Sequence, residues 1–156
     1  MTNTQDLATQ VKQSLDLFLT RDRYLLQHDV SERAITHKVA EAIQSVFGLV
    51  NSYDVDCEYN RVGLDQIKRG NNGGRVYPDI VVHRRGHKDD NLLAVEVKKS
   101  RRGKKAISRD EEKLEQYVRG QLRYKYGLSV VFHVGIKPRY ECRFFDGKLW
   151  TELPNS

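Results

Sequence analysis

Apolar residues recur at helical spacing near the start of the chain, where Leu7, Val11, Leu15 and Phe18 mark an amphipathic helix over residues 5–20. A polar Thr20-Arg21-Asp22-Arg23 stretch and a short apolar anchor, Tyr24-Leu25-Leu26, follow it. Ile35, Val39, Ile43 and Val46 predict a second helix from about Ser31 to Phe47, with Gly48 as its C-cap. At about 100° per residue, Glu32 lies within about 60° of that stripe and Glu41 faces away. The pattern then changes to a period of two. Tyr53, Val55, Cys57 and Tyr59 alternate with Asp54, Asp56 and Glu58, the signature of a strand with one apolar face.

Residues 60–76 read as a long, mobile polar loop containing G-N-N-G-G-R, which lacks the ending of a P-loop. Two strands follow, Ile80–His83 and Leu92–Lys98, joined by a polar turn. A third helix is predicted over Arg109–Tyr126, with Ser108 and Glu111 as a capping box and Gly127 as its end. Leu114, Tyr117 and Val118 form its apolar face, and Asp110 lies on the same side. Leu128–Ile136 reads as a buried strand, and Cys142–Trp150 as a β-hairpin on an Asp146-Gly147 turn. Helices flanking a run of strands imply an α+β or mixed α/β fold.

Composition narrows the setting. With 156 residues, one domain spanning the chain is expected. The net charge of +6 suits a polyanionic partner. Cys57 and Cys142 have neither metal-ligand spacing nor a disulfide framework, so reduced thiols and a cytoplasmic location are expected. The start M-T-N-T-Q-D lacks the basic and apolar regions of a signal peptide, and no apolar run is long enough for a membrane span.

The candidate chemistry lies in Tyr77–Lys98. Asp79 opens one strand, while Glu96 and Lys98 project from one face of the next. If the strands pair, two carboxylates and an ammonium converge, a set suited to a divalent cation and a phosphate. Asp79 and Glu96 are the candidate ligands, with the Val97 backbone carbonyl as a third if the strand end turns it inward. Lys98 would hold or polarise water, or neutralise phosphate, and Glu32 would enter from the second helix.

Each residue also has a structural reading. Asp79 after proline suits a turn, Lys98 suits an ion pair with Glu96, and Asp29 with Glu32 fits a D-x-x-E capping box. Asp110 reads as a first-turn dipole acid, Lys113 as solvated, His83 as a hydrogen-bonded strand histidine and Glu58 as solvent-facing. The later aromatics, including Tyr117, Tyr124, Tyr140, Phe144 and Phe145, read as packing. The basic run Lys98–Lys105 leads away from the candidate site. Lys99, Arg101, Arg102, Lys104 and Lys105, with Arg84 and Arg85 after the first strand, are the candidate nucleic-acid contacts.

Pro78-Asp79, a spacer and Glu96-Val97-Lys98 resemble the PD-(D/E)XK signature of the restriction-endonuclease-like nucleases. The resemblance covers about residues 31–136 and implies an αβββαβ core, with the first helix and last hairpin as additions. It further implies magnesium or manganese ligation by Asp79 and Glu96, a catalytic Lys98, a helix acid at Glu32, and cleavage of nucleic acid, DNA before RNA. A dimer mate or partner protein would supply sequence recognition. A nuclease-fold module that binds without cutting, and a plain ion-pair network, are the alternatives.

Overall fold

The structure, a computed structural model, describes residues 3–62, 66–70 and 72–154. Three helices come first: α1 (Thr4–Arg21), α2 (Arg23–Gln27) and α3 (Glu32–Asn51). Strands β1 (Asp54–Cys57), β2 (Arg61–Val62), β3 (Gln66–Ile67), β4 (Ile80–His83) and β5 (Asn91–Lys99) follow. A 3₁₀ turn (Ser100–Arg102) leads into α4 (Gly103–Arg119), and β6 (Tyr126–His133), β7 (Arg139–Phe145) and β8 (Trp150–Leu153) complete the fold.

It is a mixed α/β fold. Six strands form one mixed sheet in the order β1-β4-β5-β6-β7-β8, flanked by helices. Only β5 and β6 pair in parallel, and α4 supplies the crossover between them. On one face, Leu7, Val11, Leu15 and Phe18 of α1 and Ile35, Val39 and Ile43 of α3 pack with Val82, Val95, Val97 and Val130. On the other, Leu114 and Tyr117 of α4 pack with Val81, Ala94, Leu122 and Tyr124. Covering β5 on both faces explains its nearly unbroken apolar run. Among the described residues no helix is long and apolar enough to cross a membrane.

Several boundaries differ from the sequence reading. Helix α3 runs through Gly48 and ends at Ser52, whose φ of 56° is left-handed. Ser31, not Asp29, caps its start, with its hydroxyl accepting from the Ala34 N–H. The Asp29–Glu32 capping box therefore does not form. Helix α4 begins at Gly103 rather than Arg109, because the good helix formers Lys104, Lys105 and Ala106 extend it towards β5. Ser108 then lies inside the helix and is not its cap.

The helix stops at Arg119, not Tyr126, and the following turn buries Leu122 and Tyr124. The Asn91 side chain holds that turn by donating to the Leu122 carbonyl at 2.8 Å. Gly127 belongs to β6 instead of ending the helix. A Cβ there would lie 3.2 Å from Leu114 Cβ, so glycine lets α4 approach the sheet closely. Strand β6 accordingly runs from Tyr126 to His133 and stops before Ile136.

The polar stretch 60–76 contains the short antiparallel pair β2–β3 and the fully buried Lys68, so the described part is more than an open loop. Tyr59 joins the α4 side of the core instead of the face of Tyr53 and Val55, since Glu58 takes a left-handed φ of 49° and breaks the alternation. In the last hairpin Phe145 pairs with Trp150, and Asp146 accepts from the Lys148 and Leu149 N–H groups.

Candidate active site

The candidate residues meet where β5 outruns its neighbour. Strand β4 starts at Ile80, opposite Val95, while β5 continues through Glu96, Val97, Lys98 and Lys99. The backbone N–H groups of Val97 and Lys99 point to the β4 side, beyond the last paired residue. Two acids replace the missing strand. Asp79 Oδ2 accepts from Val97 N at 2.8 Å, and Glu32 Oε2 accepts from Lys99 N at 3.1 Å. Because the N–H and C=O of one strand residue point to the same side, the Val97 carbonyl shares the side occupied by Asp79.

Glu96 leaves the strand on the α4 face, beside Ala94, and is 4% exposed. It interacts with the Asp79 carboxyl and the Tyr117 hydroxyl. Burial pushes Glu96 well above the usual carboxylate range, and the nearby charges of Asp79 and Asp110 add to the effect. Burial raises Asp79 too, although the hydrogen bond from Val97 opposes it. Two carboxyls in this arrangement resist simultaneous ionisation without added positive charge.

Lys98 lies on the same face, with its Nζ 3.0 Å from Asp110 Oδ2 and 3.5 Å from Glu32 Oε1. Burial draws its pKa down, but Asp110 and Glu32 outweigh that and leave it raised. Lys98 is therefore an ammonium at neutral pH. It pairs with Asp110 and Glu32 rather than forming the simple Glu96 ion pair of the structural reading.

Asp110 is 3% exposed and also binds Lys113 Nζ at 2.9 Å. With α4 starting at Gly103, Asp110 lies in mid-helix, so the first-turn dipole reading fails and Lys113 is not simply solvated. The signal was an acid on the same helical face as Leu114 and Tyr117, hidden by the misplaced start. Glu32 is likewise no capping-box residue, since it reaches across to β5. His83 is hydrogen-bonded to Asp56 at 2.9 Å, and Glu58 is exposed, 3.5 Å from Arg33.

Much of the proposed basic surface is held by the chain's own acids. Arg85 makes a two-point contact with Asp56 at 2.6 and 2.9 Å, and Arg84 lies 3.6 Å from Asp90. Lys99 and Arg101 both bind Asp29, at 3.0 and 2.6 Å. Arg102 approaches Glu32 at 3.8 Å, whereas Lys104 and Lys105 are exposed on α4. Cys57 and Cys142 are free thiols.

Sequence reasoning missed Lys68. Its ammonium is fully buried between the Tyr59 and Tyr124 rings, 4.9 and 5.0 Å from their centroids, and is hydrogen-bonded to the Tyr124 hydroxyl. Burial lowers its pKa to about 7, against a smaller opposing effect of Asp56. A cleft of about 420 Å³, lined by Glu32, Arg33, His37, Glu58 and Asp79 among others, gives access to Asp79 from the α3 side. Among the described residues, no three His, Cys, Asp or Glu side chains are grouped to share a metal. No protein-family model, curated protein or solved structure matches the chain.

Proposed function

We propose that the chain is a divalent-metal-dependent nuclease that hydrolyses phosphodiester bonds, with DNA as its first expected substrate. The observation that carries this reading is the meeting of Asp79 and Glu96 where β5 runs past the start of β4, beside a lysine kept as an ammonium. The main-sheet path α3-β1-β4-β5-α4-β6 follows the helix, three strands, helix, strand order of the restriction-endonuclease-like core and supports the resemblance.

The residues fit a divalent cation. Asp79, Glu96, Glu32 and Asp110 face the ammonium groups of Lys98 and Lys113, with the Arg102 guanidinium 3.8 Å from Glu32, so among the described residues the carboxyls of the cluster outnumber the cations beside them. Its donors are hard oxygens, as magnesium and manganese require. Asp79 and Glu96 would hold the ion with the Val97 carbonyl, and water would complete the shell. When bound, the cation supplies charge neutralisation at the phosphoryl oxygens and lowers the pKa of water.

Lys98 donates hydrogen bonds towards a phosphoryl oxygen or the attacking water. As an ammonium it holds charge and position and does not remove a proton. Glu32 and Asp110 position it from opposite helices.

The test is nicking of supercoiled plasmid in magnesium or manganese, against the same protein in chelator. Metal-dependent nicking is expected, and its absence across DNA and RNA substrates would overturn the reading. Asp79→Asn separates the two duties of that residue. Its amide oxygen can still accept from Val97 and it carries no buried charge, so unfolding midpoints in chelator should be no lower than wild type while cleavage falls on the order of 100-fold or more. Asp79→Ala leaves the Val97 N–H without its acceptor and should also lose about 1–3 kcal/mol of stability by urea unfolding.

A further inference from the structure

Helix α4 turns most of its acids into the fold. Glu111 faces β7 and binds Arg143 at 2.7 and 2.9 Å. Glu115 binds Arg119 at 3.1 Å and accepts from the Trp150 ring N–H at 2.8 Å. Ile107 and Lys104 share that side, lining a groove against β6 and β7.

The opposite flank carries Lys105, Arg109 and Lys113, spaced four residues apart and all exposed. One residue in four along a helix makes a row with steps of about 6 Å. The row ends at the site, where Lys113 binds Asp110 at 2.9 Å, next to Lys98 and Glu96. Among the described residues, no acid lies within ion-pair distance of Lys105 or Arg109. By contrast, Arg85, Lys99 and Arg101 are occupied by Asp56 and Asp29. Asp110, Glu111 and Glu115 of α4 are thus used within the fold, while Lys105 and Arg109 are left to solvent with the exposed Glu112 as the one acid of α4 on their flank.

We infer that this flank is the track for the phosphodiester backbone of one nucleic-acid strand, leading it over Lys105 and Arg109 to the proposed metal site. The inference rests on the nuclease reading only for the location of the cut bond. A row of cations along one helix edge can follow one strand and has no groove in which to read bases, so it supplies affinity without sequence choice. Each phosphate contact releases condensed counterions, which makes its contribution measurable as a salt dependence.

The experiment measures binding of a fluorescein-labelled single-stranded DNA, the same sequence as a duplex and its RNA counterpart, in chelator, across a series of potassium chloride concentrations. The slope of log affinity against log salt should fall by about 0.7–0.9 in Lys105→Gln and again in Arg109→Gln, and by about twice that in the double variant. Arg85→Gln and Arg101→Gln should leave it unchanged. Wild-type slopes in the Lys105 and Arg109 variants, equal losses in the two control variants, or no binding to any of the three probes would overturn the track. Whichever probe loses most identifies the strand type carried. Salt-dependent binding with these losses but without metal-dependent nicking would uphold the track and sink the hydrolysis. Nicking with unchanged slopes would do the reverse.

Discussion

Glu96→Gln is expected to abolish metal-dependent cleavage and, in chelator, to make the fold more stable. Both effects come from one carboxyl that is 4% exposed and crowded by Asp79 and Asp110. Its folded pKa is raised, so its contribution to stability is complete below the unfolded value of about 4.3 and is lost as pH rises through the folded value. Glutamine has the same shape and no charge. The difference between variant and wild type should therefore be small at low pH and grow with pH, reaching about 1–3 kcal/mol in urea unfolding.

Magnesium should reverse the order. At about 100 times its dissociation constant it would stabilise the wild type by about 2.7 kcal/mol and leave the variant nearly unchanged. Cleavage should fall by at least about 1,000-fold, the loss of several kcal/mol of transition-state stabilisation. A Glu96→Gln protein that cuts normally, or one less stable than wild type in chelator at neutral pH, would contradict this account of the site.

The second large effect lies outside the proposed chemistry. Lys68 is fully buried with its pKa lowered to about 7, while an unfolded lysine titrates near about 10.4. Between those values the unfolded chain binds more protons, so stability rises with pH, at up to about 1.4 kcal/mol per pH unit. Wild type should gain about 2–3 kcal/mol from this group between pH of about 7 and about 9. Lys68→Met should remove that gain.

Other titrating groups cancel between wild type and variant. His83, lowered by burial, acts below its ordinary pKa near about 6.5. Cys142, pushed up to about 12, opposes the trend from the unfolded thiol value of about 8.5 upward, and the raised Tyr117 and Tyr124 oppose it at higher pH. Urea midpoints at the two pH values, compared between wild type and variant, isolate Lys68. An unchanged pH slope in the variant would show that the amine is not buried as described. Removing it also takes the partner of the Tyr124 hydroxyl, which offsets part of the gain at neutral pH.

The two predictions differ in how far the sequence anticipated them. Glu96 was conspicuous because an acid within Leu92–Val97 is costly to bury without a partner. Lys68 sits in a polar stretch of unremarkable composition. Its burial depends on Tyr59, just before that stretch, and Tyr124, 56 residues further along the chain, closing over it together. Asp110 falls between these cases. It shared a helical face with Leu114 and Tyr117, but only the true start of α4 at Gly103 removes it from the first turn.

The basic run shows the same limit from the other side. Composition marks Lys98–Lys105 as positive, yet ion pairs across the fold decide which of those charges remain available. Asp29 takes Lys99 and Arg101, and Lys98 turns inward to Asp110 and Glu32. Arg109 and Lys113, outside the run, lie on the exposed flank beside the site.

Local pattern alone determined the amphipathic stripes of α1 and α3, the buried strands β4 and β5, and the side of β5 that carries Glu96 and Lys98. Those features follow from periods of 3.6 and 2, which are properties of adjacent residues. Tertiary structure decided the rest: that β5 outruns β4, so that Asp79 and Glu32 complete its free edge, and that α4 crosses close enough for Asp110 and Tyr117 to reach Lys98 and Glu96. Relative strand length, helix start and the partner of a buried charge depend on elements distant in the chain, and no local period encodes them.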